Sequence, residues 1–118
     1  MNCEQVLHGP WAALEASDMV VLIAPRGPSY ERCLALGKAA KEIGAPVVGL
    51  LEEGDRELSA LCAYTVVLPD VPELLSPILA VVPLQLFTYH LALQRRTNPD
   101  TMRSDQPAHG RARAGLSL

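Results

Sequence analysis

The stretch Pro77–Asp100, PILAVVPLQLFTYHLALQRRTNPD, decides how the chain is read. No Lys, Arg, Asp or Glu occurs between Glu73 and Arg95. A helix lying on a protein surface shows one apolar stripe and one charged face. This one is apolar all round, with Gln85, Thr88, Tyr89 and His90 set among aliphatic residues and Pro83 inside it. The pattern predicts a long helix from about Glu73 to Arg96, buried on nearly every side. Leu74–Leu93 also has the length of a membrane span, which needs about 20 apolar residues. Two prolines, a glutamine, a histidine and hydroxyl groups stand against that reading, because polar groups are costly in lipid and easily paired inside a protein. The expectation is a helix covered by protein, and no membrane.

Upstream, Met19–Ala24, MVVLIA, is a continuous apolar run closed by Pro25 and Gly27. Unbroken runs of this kind suit strands buried on both faces of a parallel sheet. A helical pattern opens at Pro28–Tyr30, with Cys33, Leu34, Leu36, Ala39, Ala40 and Ile43 on one side and Gly44 as C-cap. Pro46–Leu51 and Ala63–Leu68 read as the second and third strands, with a short helix between them over Asp55–Leu61, capped by Asp55. Strands alternating with helices and joined by short loops predict a parallel sheet. The first eighteen residues offer no strand, so a three-stranded sheet is left with open edges that something must cover. The chain reads as the C-terminal part of a domain, or as one half of a pair.

At 118 residues the chain holds one domain at most. Its formal charge of −3 provides no basic stripe to neutralise phosphates, which argues against a nucleic-acid partner. The C-terminal arginines, from Arg95 to Arg113, lack interleaved aromatic residues and read as a solvated tail. Cys3, Cys33 and Cys62 have no zinc-binding spacing; Cys33 and Cys62 fall in apolar helical patterns as small core residues. Glu52-Glu53-Gly54-Asp55 reads as a solvated loop, because a cage for a hard cation needs more converging oxygens. Arg26-Gly27-Pro28-Ser29 follows a parallel strand, where ligands bind in open α/β folds, although one Gly and one Ser make a sparse phosphate cradle. MNCEQVLHGP has no signal-peptide pattern, which suggests the cytoplasm.

The concentrated chemical signal is His8-Gly9-Pro10. Histidine titrates near neutrality and can move protons between sugar oxygens or carbons, while Pro10 suits the first turn of a helix through Trp11–Glu15. LHGP followed by a short helix and a DMVVLIAP strand, with PLQLFTYHLAL and NPD at the far end, resembles the second sugar-isomerase (SIS) domain of the glucosamine–fructose-6-phosphate aminotransferase family and of related two-SIS sugar-phosphate isomerases and deaminases. The resemblance covers Gln5 to about Arg103. It implies a partial three-layer α/β/α SIS-type domain over residues 1–96, with about three parallel strands and the long buried helix, followed by a tail over 97–118.

The same resemblance implies that His8 is the ring-opening acid/base of a neighbouring subunit's site, and that the ligand is a phosphorylated sugar such as fructose 6-phosphate or glucosamine 6-phosphate. It implies a homodimer or a partner SIS subunit, and no cofactor or metal. Gln5 stands where many members carry an acidic residue. The family's glutamate-bearing helix and its Ser/Thr phosphate loops have no counterpart here, and neither does its C-terminal Schiff-base lysine, since only Lys38 and Lys41 occur. The expectation is therefore a part of a sugar-phosphate isomerase or aminotransferase that is inactive alone. The alternatives are a non-catalytic sugar-phosphate-binding or dimerisation module, or a truncated inactive fragment.

Overall fold

The three apolar runs form parallel strands. In the computed structural model, which describes residues 2–101 and 103–116, β1 (Val20–Ala24), β2 (Val47–Glu52) and β3 (Tyr64–Leu68) lie in the order β1-β2-β3. Val20 stands opposite Val47 and Val48 opposite Tyr64. The expected α/β arrangement with a three-stranded parallel sheet is therefore present, with strand ends within a residue or two of those expected.

Between β1 and β2 runs a helix over Tyr30–Ile43, as the spacing predicts. It is the second helix of the chain, α2, after the short α1 (Cys3–Leu7). Gly44 ends α2 at φ 88°, with its N–H on the carbonyls of Ala40 and Lys41, a conformation that glycine adopts without a Cβ penalty. Cys33, Leu34, Leu36 and Ala40 of α2 pack with Leu22 and Ala24 of β1, Val47 and Leu51 of β2, and Leu58. Packing here is close. A Cβ added at Gly37 would lie 2.8 Å from Leu58 Cδ1, and one at Gly49 2.7 Å from Cys62 Sγ.

Two expectations change in detail. The helix foreseen over Asp55–Leu61 contracts to a 3-10 turn at Ser59–Leu61, and that foreseen over Trp11–Glu15 to a 3-10 turn at Pro10–Ala13. The outer strands are also not buried on both faces. Along β1, Leu22 and Ala24 are buried while Val21 and Ile23 are exposed, and Tyr64 and Val67 of β3 are exposed too. Only one face of β1 packs into the core that α2 shares, and Val21 and Ile23 leave the other open to solvent.

The chain divides into two compact units, one up to Ala80 and one from Val81 onward. The long helix, α3 (Ser76–Gln94), begins in the first and continues into the second. It forms in spite of Pro83, and the Thr88 hydroxyl is satisfied within it by the carbonyls of Leu84 and Gln85. Its expected burial is the main correction. Only Ser76 and Ala80 are buried, and Ile78 (65% exposed) and Leu86 (56%) are open to solvent. The apolar surface is present as the sequence predicts, but among the described residues most of it stays open to solvent. Among the described residues, α3 is the one helix long and apolar enough to cross a membrane, judged by length and composition.

Past α3 the chain turns through Arg96 at φ 54°, with the Thr97 N–H on the Ala92 carbonyl and the Arg96 N–H on that of Leu93. A last helix, α4 (Pro107–Ala114), lies in the segment read from sequence as a tail.

Candidate functional site

In a parallel sheet the loops leaving the carboxyl ends of the strands converge, and ligands bind there. The β1–α2 and β2–β3 loops do so here. Glu52, the last residue of β2, is only 5% exposed. Its carboxylate accepts the Arg26 N–H at 3.0 Å and lies 4.0 Å from Arg26 Nε, which ties the β1–α2 loop to the end of β2. Gly54, at φ 81°, turns the chain so that Asp55 faces Tyr30. Asp55 Oδ1 accepts two hydrogen bonds, from the Tyr30 hydroxyl at 2.9 Å and from the buried Leu58 N–H at 3.0 Å. Burial, reinforced by the bond to Asp55 and by its charge, pushes the Tyr30 hydroxyl up to about 12. Asp55 Oδ2 is buried with no hydrogen-bond partner among the described residues. Burial and the same carboxylate push the Cys62 thiol up as well.

These loops enclose an open cleft of about 440 Å³, lined by Arg26, Gly27, Tyr30, Glu31, Gly54, Asp55, Arg56 and Glu57. Two guanidinium groups face three carboxylates across it. Arg26 and Arg56 can hold an anion, and the carboxylates can accept from hydroxyl or ammonium groups. The Arg26–Ser29 loop singled out by its position after β1 thus contributes Arg26 and Gly27 to the cleft. The Glu52–Asp55 loop, expected to be solvated, is instead buried at both ends, where Glu52 and Asp55 (8% exposed) accept from the protein's own N–H and O–H groups. Among the described residues no group of three His, Cys, Asp or Glu is placed to hold a metal ion. The roles of Tyr30 and Glu52 were not legible in sequence. Only the Asp55 cap was, because an Asp that opens a turn accepts from the N–H three residues on.

His8 stands apart from this cleft. It is the C-cap of α1, exposed, and not among the cleft-lining residues. Local interactions fix its position. Asn2 Oδ1 accepts the Gln5 N–H at 2.9 Å and Gln5 Oε1 accepts the Asn2 N–H at 3.0 Å, a complete capping box. Glu4 pairs with Arg32 of α2, while Cys3, Val6 and Trp11 pack against the core. Gln5, at the position where an acidic residue was expected to support the histidine, instead caps the helix. The two lysines are exposed on α2, Lys38 3.9 Å from Glu57 and Lys41 donating to the Ala60 carbonyl. His90 is exposed on α3, edge-on to Tyr89 with ring centroids 5.5 Å apart.

Residues 3–95 match the SIS domain family. The chain is 40% identical over 104 residues to a glutamine–fructose-6-phosphate aminotransferase (isomerizing) of Thermococcus kodakarensis, an alignment covering 88% of this chain and 17% of that protein. It is 38% identical over 104 residues to the protein of the same name from Pyrococcus horikoshii, again covering 88% and 17%. The corresponding protein of Thermus thermophilus is 37% identical over 89 residues, or 75% of this chain and 15% of the relative. The chain therefore spans about a sixth of the length of these relatives.

Proposed function

The chain belongs to the SIS domain family, and on that premise we propose that it is the sugar-phosphate-binding C-terminal part of a cytoplasmic isomerase or aminotransferase acting on a phosphorylated sugar such as fructose 6-phosphate or glucosamine 6-phosphate. The observation that carries this reading is the match over residues 3–95, which takes in the His8-Gly9-Pro10 segment, together with the exposed position of His8 at the end of an anchored helix. Opening a cyclic sugar requires one proton to leave the anomeric hydroxyl and another to reach the ring oxygen. One imidazole can do both in turn, which is the role given to His8. Because His8 is exposed and lies off the chain's own cleft, it suits a site completed by a neighbouring subunit.

The remaining parts come from elsewhere. Moving a proton between C1 and C2 of the opened sugar needs a carbon base, and holding the phosphate needs a dense cluster of donors. Both are assigned to a preceding stretch or a partner SIS subunit, which would also cover the apolar surface of α3 and the open strand edges. Gln85, Tyr89 and His90 favour a protein partner over lipid, since their polar groups find partners in protein more readily. The second reading, a binding or dimerisation module without chemistry, draws support from the two lysines, both engaged at the surface of α2.

A single experiment tests both readings. The chain is assayed alone and with a polypeptide supplying the rest of a two-SIS isomerase half, following interconversion of fructose 6-phosphate and glucose 6-phosphate and release of ammonia from glucosamine 6-phosphate. Activity should appear only in the mixture, and His8→Ala should lower it by about 10²- to 10⁴-fold, the usual contribution of one acid–base group. Full activity of the His8→Ala mixture would remove His8 from the chemistry. No activity in the mixture, with the sugar phosphate still bound, would favour the second reading.

A further inference from the structure

The three cysteines are widely spaced in sequence, yet the fold brings two of them together. Cys3 Sγ on α1 lies 3.4 Å from Cys33 Sγ on α2, with thirty residues between them in sequence. All three cysteines are thiols rather than disulfides. The two members of the pair differ in access. Cys3 is half-buried, so reagents can reach it, whereas Cys33 is 3% exposed and its thiol is 3.7 Å from the Ile23 carbonyl. Cys62 sits elsewhere, donating to the Leu58 carbonyl at 3.2 Å.

We propose that Cys3 and Cys33 form an oxidative modification site, at which a small-molecule disulfide converts the two thiols to an intrachain disulfide that fastens α1 to α2. Cys3, the accessible thiol, loses its proton and attacks one sulfur of the reagent. A mixed disulfide forms and one reagent thiolate leaves. Cys33 then loses its proton and attacks Cys3 Sγ, expelling the second reagent half as a thiolate. In sum, two protein S–H bonds and one reagent S–S bond break, while one protein S–S bond and two reagent S–H bonds form. The protein loses two electrons and two protons, and the reagent gains them.

The geometry supports each step. Closing the sulfurs from 3.4 Å to a bonded distance of about 2.05 Å needs only a small shift of one helix. Cys3 is the first residue of the five-residue α1, so a local adjustment at that helix's N-terminal end brings the sulfurs together while Val6 and Trp11 keep their packing. Because Cys33 is buried, it is reached through Cys3, which favours ring closure over a second mixed disulfide. The product fixes the helix whose C-cap is His8. The inference does not depend on any role for His8, because the bond itself is measured.

The test uses the full chain with glutathione disulfide as the oxidant, followed by intact-mass measurement and peptide mapping without reductant. The expected product is a chain lighter by two hydrogen atoms, with its titratable thiols falling from three to one and a peptide linking Cys3 to Cys33. Dithiothreitol should restore all three thiols. Amide exchange over Cys3–Leu7 should slow on oxidation, and unchanged exchange would overturn the claim that the bond fastens α1. Cys3→Ser should abolish both changes; this partly exposed substitution keeps the test intact if Cys33→Ala fails to fold. A stable glutathione adduct on Cys3, a link to Cys62, or only interchain disulfides would overturn the proposal.

Discussion

Replacing Asp55 with alanine removes the acceptor that joins α2 to the loop after β2. Asp55 Oδ1 takes hydrogen bonds from two elements, Tyr30 at the start of α2 and Leu58 before the 3-10 turn. Leu58 is fully buried, so losing the charged acceptor of its N–H costs about 1–3 kcal/mol. The Tyr30 hydroxyl is half-buried and can turn to water, so its loss adds about 1 kcal/mol or less. Removing a buried carboxylate whose Oδ2 has no partner among the described residues offsets part of this. The net expectation for Asp55→Ala is a loss of about 2 kcal/mol, a large share of the 5–15 kcal/mol typical of a domain. Asp55→Asn keeps an acceptor at Oδ1 and should lose about half as much. Urea unfolding followed by circular dichroism measures both, and the slope against urea should stay unchanged. In a double-mutant cycle with Tyr30→Phe the coupling should be about 1 kcal/mol. An Asp55→Ala loss under about 0.5 kcal/mol, or strict additivity with Tyr30→Phe, would refute this account of the loop.

Gly49→Ala should destabilise by about 1–3 kcal/mol by overpacking the central strand, since the added methyl would lie 2.7 Å from Cys62 Sγ and 3.0 Å from Leu51 Cγ; the same urea experiment checks it. Arg96→Gly should stabilise the turn after α3 by about 0.5–1 kcal/mol, because a non-glycine residue there holds φ 54°; a fall in the urea midpoint would contradict this. Tyr30 has a raised folded-state pKa of about 12 against an ordinary 10, so the native state holds its proton more tightly. Its contribution to stability is complete below pH 10 and is lost as pH rises toward 12, and Tyr30→Phe should flatten that decline between pH 10 and 12 in pH-dependent unfolding.

Much of the fold was legible because its signals are local. Val20–Ala24 is an apolar run between turn residues, and Gly44 stands where an αL C-cap is needed, so strands and α2 fall at their expected places. The burial of α3 was not legible. A sequence shows that Ile78 and Leu86 are apolar, but not whether anything covers them. Val21 and Ile23 were misread for the same reason, since an unbroken apolar run looks alike whether one or both faces find a cover. At the cleft, the Asp55 cap could be read three residues ahead, whereas the pairing of Tyr30 with Asp55 and of Arg26 with Glu52 spans about 25 residues and follows only from the parallel register. The approach of Cys3 to Cys33 is of that kind too.

The proposed function requires that a second SIS polypeptide or a second copy cover the α3 surface and the strand edges. Sedimentation velocity at micromolar concentration in detergent-free buffer tests it most directly. The account predicts a dimer or larger species, dissociated by Leu86→Glu, which places a charge on an apolar surface now 56% exposed. A soluble, stable monomer whose sedimentation Leu86→Glu leaves unchanged would contradict it.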